Sequence, residues 1–211
     1  MIFRILLIGS KDVQITGEVR YLTSLDNIRV TVLANGDVHA RTIYEACRRQ
    51  RFDAIHFAVH SDERKIIVNG DILNPEDIAQ LARLCRATLV FFNSCVSGRL
   101  SSYVTRHGVD FSICNNTPLA DEDAWKTPLA FYDFINSQIA ASGTFSIAEA
   151  YDESTPDDGE YGIYINHQRS RIVLVQARLD RLERVAIALG LVDILTLVLV
   201  IWLAVKAGIV P

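Results

Sequence analysis

An alternation constrains this chain most: through the first 170 residues, short apolar and β-branched runs recur with amphipathic stretches between them. Residues 2–8 (IFRILLI), 28–33 (IRVTVL), 54–59 (AIHFAV), 88–93 (TLVFFN) and 109–114 (VDFSIC) have the length and content of buried strands. Between them, residues 38–50 and 75–84 have helical spacing, a polar stretch with Glu18, Arg20 and Tyr21 is compatible with a helix, and residues 101–107 are read as helical. Asn74 and Pro75 form a helix start, as cap and first helical residue. Asn69-Gly70, flanked by Ile66–Val68 and Ile72, predicts a hairpin. Residues 122–140 read as a long amphipathic helix and 146–151 as a further helical stretch. Residues 152–160 (DESTPDDGE) are an acidic surface loop, and 161–165 with 172–175 could pair at a sheet edge. Strands interleaved with helices predict an α/β fold: a mostly parallel sheet flanked by helices on both faces. This domain is expected over residues 1–172.

The tail is different material. Residues 185–205 (VAIALGLVDILTLVLVIWLAV) contain only Gly190, Asp193 and Thr196 that are not strongly apolar. At about 1.5 Å per residue the segment reaches roughly 31 Å, near the ~30 Å hydrocarbon core of a bilayer. Arg178, Arg181 and Arg184 precede it and only Lys206 follows, so a single-pass helix would leave the N-terminal domain in the cytoplasm, on the inner face of a cell membrane. Trp202 falls where an interfacial aromatic belongs. The competing reading is a buried hydrophobic helix packed on the domain or on a second copy. Asp193 is the discordant residue: an acid in a span faces another helix or water, which points to homo-oligomers, unless it lies shallow enough to be hydrated. Residues 173–184 form a juxtamembrane helix, continuous with the span or lying on the domain.

Twenty-one Lys and Arg against 25 Asp and Glu give a net charge of −4, so no basic surplus marks a nucleic-acid binder. Cys47, Cys85, Cys95 and Cys114 include no CxxC and no Cys/His pair at zinc spacing, and neither a metal nor a cofactor is expected. The first strand is followed by Gly9-Ser10-Lys11, too little for a dinucleotide or P-loop fingerprint, and no G-x-S-x-G elbow exists.

In a parallel sheet, ligands gather beyond the carboxyl ends of strands. The third predicted strand finishes in Val59-His60-Ser61 and the fourth in Asn93-Ser94-Cys95. One crossover separates them, so they are expected as parallel neighbours about 4.8 Å apart. His60 and Cys95 would emerge side by side, an imidazole beside the thiol it could deprotonate. Spacing alone leaves open that Cys95 is a small buried hydrophobe and His60 an ordinary surface residue. Cys47 and Cys85 fall on helices, Cys114 has no histidine on a neighbouring strand end, and His56 shares a face with His60 and is read as packed.

The segments Asp53-Ala-Ile-His-Phe-Ala-Val-His60 and Leu89-Val-Phe-Phe-Asn-Ser-Cys95 resemble the CHAT proteases, relatives of caspases and separase. Pro118-Leu-Ala-Asp121-Glu-Asp-Ala124 and Ser146-Ile-Ala-Glu149-Ala150 are similar to later segments of that family, so the likeness covers about residues 2–155 in order. The resemblance implies a caspase-like fold and a cysteine endopeptidase, with Cys95 as nucleophile and His60 as general base. The backbone N–H groups of Ser61 and Cys95 would form the oxyanion hole; the family usually has Gly where this chain has Ser61. Asp121, with Asp123 as its rival, falls where relatives place an acid that selects Arg or Lys, although both also suit a helix N-terminus. The resemblance further implies a protein substrate, an activating partner and an effector role in bacterial defence or programmed cell death. A second function class stays open: a catalytically silent module that oligomerises and acts through its tail as scaffold or pore.

Overall fold

A computed structural model describes residues 1–34, 36, 38–117, 124–155 and 161–166. Its elements run β1 (Phe3–Gly9), α1 (Thr16–Ser24), β2 (Ile28–Ala34), α2 (Ala40–Arg49), β3 (Ala54–Ala58), β4 (His60–Asp62), β5 (Lys65–Val68) and β6 (Asp71–Leu73). They continue with α3 (Pro75–Cys85), β7 (Leu89–Phe92), α4 (Gly98–Arg106), β8 (Phe111–Asn115), α5 (Lys126–Ser142), α6 (Ile147–Ser154) and β9 (Tyr161–Ile165). The main sheet has the order β2-β1-β3-β7-β8-β9, parallel throughout except for β9, which pairs antiparallel with β8. The fold is therefore mixed α/β with a mostly parallel central sheet.

β1, β3 and β7 are buried on both sides almost throughout, which is why they read as apolar runs without alternation. Each side of the sheet feeds a separate core. Leu6, Ile8, Phe57 and Phe92 pack with Ile43 of α2, Ile78 of α3 and Leu100 of α4. Phe3, Leu7 and Phe91 pack with Leu22 of α1, Phe131 of α5 and Ala150 of α6. Helices thus cover both faces. After β1 the chain lays β2 on one side of it, then crosses back to lay β3 on the other. The connecting helices α1 and α2 leave on opposite faces, so a crevice opens at the carboxyl ends of β1 and β3, the usual ligand position in open α/β sheets.

Local signals hold where they were strongest. Asn69 and Gly70 take positive φ (50° and 96°) and close the β5–β6 hairpin, as their sequence predicts. Asn74 and Asp77 form a reciprocal capping box at the start of α3, with the Asn74 N–H donating to Asp77 Oδ2 at 3.0 Å, a device worth about 1 kcal/mol. Two expectations change. Residue 60 does not end the third strand: the chain bends at Val59, and His60 opens β4, which pairs antiparallel with β5. The edge partner of β9 is β8, while residues 172–175 lie outside the described residues. So do the juxtamembrane and membrane segments, with Asp193 and Trp202. Among the described residues no helix is long and apolar enough to cross a membrane.

Candidate active site

The site begins from register. β3 and β7 are parallel neighbours, with Phe57 opposite Phe92. His60 and Cys95 each stand three residues beyond that pair, so both leave the same edge of the sheet. The last rung is the Asn93 N–H donating to the Phe57 carbonyl at 2.8 Å. Beyond it, the Ser61 hydroxyl donates to the carbonyl of Cys95, which joins the two strand ends directly. His60 is exposed and Cys95 half-buried, whereas Cys47, Cys85 and Cys114 are buried.

The chain around Cys95 is held on several sides. Ser97, at the start of α4, donates its N–H to the Asn115 carbonyl at 2.8 Å, and its Oγ accepts the Asn115 N–H at 3.3 Å and donates to the Ser94 carbonyl. Val96 has φ +44°, an outlying conformation for a β-branched residue that costs roughly 1–2 kcal/mol. That strain sits at the tight bend from β7 into α4, next to the half-buried Cys95. The His60 side is braced by the hairpin: Asp62 Oδ1 accepts the Arg64 and Lys65 N–H groups at 2.8 and 3.0 Å, and Glu63 pairs with Arg99 of α4 at 3.1 Å.

His60 and Cys95 open into a cavity of about 880 Å³ at the crevice between β1 and β3. Its walls come from the segment after β1 (Val13, Ile15), from α1, and from Trp125 and Leu129 at the start of α5. Trp125 and Tyr21 are substantially exposed at its rim.

One wall carries a buried polar cluster. Glu18 of α1 lines the cavity at 4% exposure, and its Oε1 lies 3.2 Å from Nε2 of the fully buried His56. The approach lacks the alignment of a hydrogen bond, and both atoms are left without one. His56 Nδ1 shares a hydrogen bond with the Tyr132 hydroxyl at 3.1 Å, and its ring stacks on Phe91 at 5.0 Å. Burial pushes Glu18 up to about 8 and His56 down to about 3, since each would carry a charge without water. Burial, and then the Glu18 charge, hold Tyr132 well above the ordinary tyrosine range.

The two shifts act oppositely on stability. His56, ordinarily at 6.5, binds a proton in the unfolded chain before it does in the folded one, so stability falls as pH drops from 6.5 toward about 3. Glu18, ordinarily at 4.5, keeps its proton longer when folded, so stability falls as pH rises from 4.5 toward about 8. Between 4.5 and 6.5 the slopes oppose each other. Urea midpoints of the full chain should therefore peak in that window, and Glu18→Gln should flatten the alkaline limb. An unchanged alkaline limb in the variant would contradict the assignment.

The structure brings His60, Ser61 and Cys95 together. Asp121 and Asp123 lie outside the described residues. Glu18 and His56 were not singled out as site residues, although Ile15, Glu18 and Leu22 share a helical spacing that puts the carboxyl on an apolar stripe. Among the described residues no group of three His, Cys, Asp or Glu could hold a metal ion.

No family model matches the chain, and no curated protein matches its sequence. Among solved structures it is similar to gingipain R, described as an Arg-specific cysteine proteinase, at 15% identity and a TM-score of 0.47. The match covers 74% of this chain and 43% of that one, so the chain spans less than half of that protein's length. A likeness this distant carries no weight for activity. What the fold and site define by themselves is an α/β domain with a thiol and an imidazole on one carboxyl edge, open to a cavity.

Proposed function

We propose that this chain is a caspase-like cysteine endopeptidase with His60 and Cys95 as its reacting pair. One observation carries the reading: the two residues leave neighbouring parallel strands at matched register, beside one cavity, with Ser61 bonded to the Cys95 carbonyl. In the reaction, His60 takes the proton of the Cys95 thiol, and the sulfur attacks the scissile carbonyl carbon. The N–H groups of Ser61 and Cys95 receive the oxyanion. As the C–N bond breaks, His60 returns the proton to the leaving amine, and water then hydrolyses the thioester. The Ser61 hydroxyl is occupied by its hydrogen bond to the Cys95 carbonyl.

The wider reading rests on sequence. A preference for cleavage after basic residues follows from the CHAT resemblance, with Asp121 or Asp123 as its acid. Anchoring by residues 185–205 would confine cleavage to proteins at the inner membrane surface or to neighbouring copies, with Asp193 placed to mediate assembly. A defence or cell-death effector role, and an activating partner, belong to the same proposal.

Thiol reactivity tests the core of it. Burial pushes the Cys114 thiol up to about 11; Cys47 is raised by its thiol–thiol hydrogen bond with Cys85 and by burial. Cys85 is lowered by that same bond but is sealed in the core. Iodoacetamide on the folded full chain should label Cys95 at least about tenfold faster than any other cysteine, and His60→Ala should slow that labelling. Equal labelling of all four, or no dependence on His60, would count against the dyad.

A further inference from the structure

We propose, resting on the reading of residues 185–205 as a membrane anchor, that the amino edge of the main sheet is a docking face for an anionic lipid surface. The domain then stands on the bilayer with His60 and Cys95 at the far edge.

The face is built by register. Arg4 and Arg29 are the second residues of β1 and β2 and stand opposite each other in that parallel pair, so two exposed arginines leave strands about 4.8 Å apart. Alternation from Leu6 and Ile8 puts them on the side covered by α2 and α3. There the C-terminal ends of these helices add Arg48 and Arg86, and the turn into β3 adds Arg51, all exposed. Among the described residues none of these five makes an ion pair. Asp26, Asp53 and Asp110 stand at the same edge. Asp53 accepts the Arg4 N–H at 2.7 Å, and Asp110 precedes β8, three strands from β1.

The pair on the strands works against folding, since like charges in opposed positions repel. A cation at the end of α2 or α3 answers a helix dipole, but Arg4 and Arg29 lie on strands and Arg51 lies outside any element, where no dipole calls for them. An anionic surface laid across the edge turns that repulsion into attraction. The whole chain carries −4, so the positive charge is gathered here and not spread.

The exit of the chain favours a lipid surface over another polyanion. β9 runs antiparallel to β8 and returns the chain from the cavity edge to the amino edge, where the Asn166 N–H donates to the Asp110 carbonyl at 2.9 Å. The same row continues from Phe111 to Thr88, from Thr88 to Asp53 and from Asp53 to Arg4. Residues 167–184, with five arginines against two acids, then lead to the apolar segment. β3 rises about 3.3 Å per residue, so His60, six residues beyond Ala54, stands roughly 20 Å from this edge. The substrates in reach are membrane-bound proteins that hold a segment about that far off the lipid.

Amide hydrogen exchange tests the face without proteolysis. The full chain is placed in nanodiscs of phosphatidylcholine, alone or with about 30% phosphatidylglycerol as the anionic lipid. The anionic lipid should slow exchange at residues 48–52 at least about fivefold, the worth of one arginine at such a surface, and leave residues 61–65 of the hairpin unchanged. About 0.5 M salt should reverse the slowing. Arg4→Gln with Arg29→Gln should abolish it. Arg48→Gln with Arg51→Gln, off the sheet, should weaken it and covers the case in which the strand variant does not fold. Equal exchange in both lipids, equal slowing at the hairpin, indifference to both variants, or slowing by duplex RNA and not by the lipid would overturn the proposal. A chain that does not enter nanodiscs is sedimented with phosphatidylglycerol vesicles. Binding that Arg4→Gln with Arg29→Gln removes would keep the face and strike only at the anchor, and no binding would overturn the face as well.

Discussion

Cys95→Ala should abolish peptide cleavage, by about 10⁴-fold or more, while the urea midpoint of the full chain moves little. The expected loss is large because no other thiol can substitute. Cys47 and Cys85 pack in the core between sheet and helices, and Cys114 lies buried in β8. The stability change is small because Cys95 is half-buried at a bend and contributes little to either core. His60→Ala should cost a similar factor, and the double variant should be no worse than the worse single one, since a nucleophile and its base act as a unit. The measurement is hydrolysis of a mixed fluorogenic peptide library by wild type and the three variants. Full retention of cleavage in Cys95→Ala would place the chemistry elsewhere; additive losses in the double variant would mean that the two residues act separately.

The largest stability effect is expected at Phe91. Its ring is fully buried and meets His56 at 5.0 Å, Phe131 at 5.5 Å, Tyr132 at 5.9 Å and Tyr161 at 6.4 Å. Phe91→Ala should destabilise the chain by about 3–5 kcal/mol, through lost transfer energy and a cavity that four rigid neighbours cannot close. The substitution also removes the surface on which His56 is stacked, two residues from the strand end that leads to the site. Urea unfolding with a two-state fit checks the magnitude, and a loss below about 1 kcal/mol would show that the ring cluster repacks. Phe57→Ala, on the opposite face, is the natural control: it empties the other core and leaves the His56 cluster in place.

The sheet was legible because its central strands obey one rule. Residues 54–58 and 89–92 are buried on both sides and, His56 apart, apolar, as a strand covered on both faces must be. Their adjacency followed from the single crossover through α3, and with it the exit of residues 60 and 95 at one edge of the sheet. β4 was illegible: three residues followed by Glu63 and Arg64 have no periodicity, and the strand exists only because β5 returns beside it. Glu18 was hidden for a different reason. A glutamate among Arg20 and Tyr21 reads as a solvated helix face, although its spacing from Ile15 and Leu22 sets it on the stripe that docks into the core. The Val96 bend was invisible too, since nothing in valine's own preferences announces a left-handed residue.

The bond from the Ser61 hydroxyl to the Cys95 carbonyl has a mechanical consequence. His60 and Cys95 follow different strands, and this tether links the hairpin directly to the loop that carries the thiol. A force applied to the hairpin, for instance by a ligand gripping Glu63, would pass through this bond to the Cys95 loop and through the Glu63–Arg99 pair to α4.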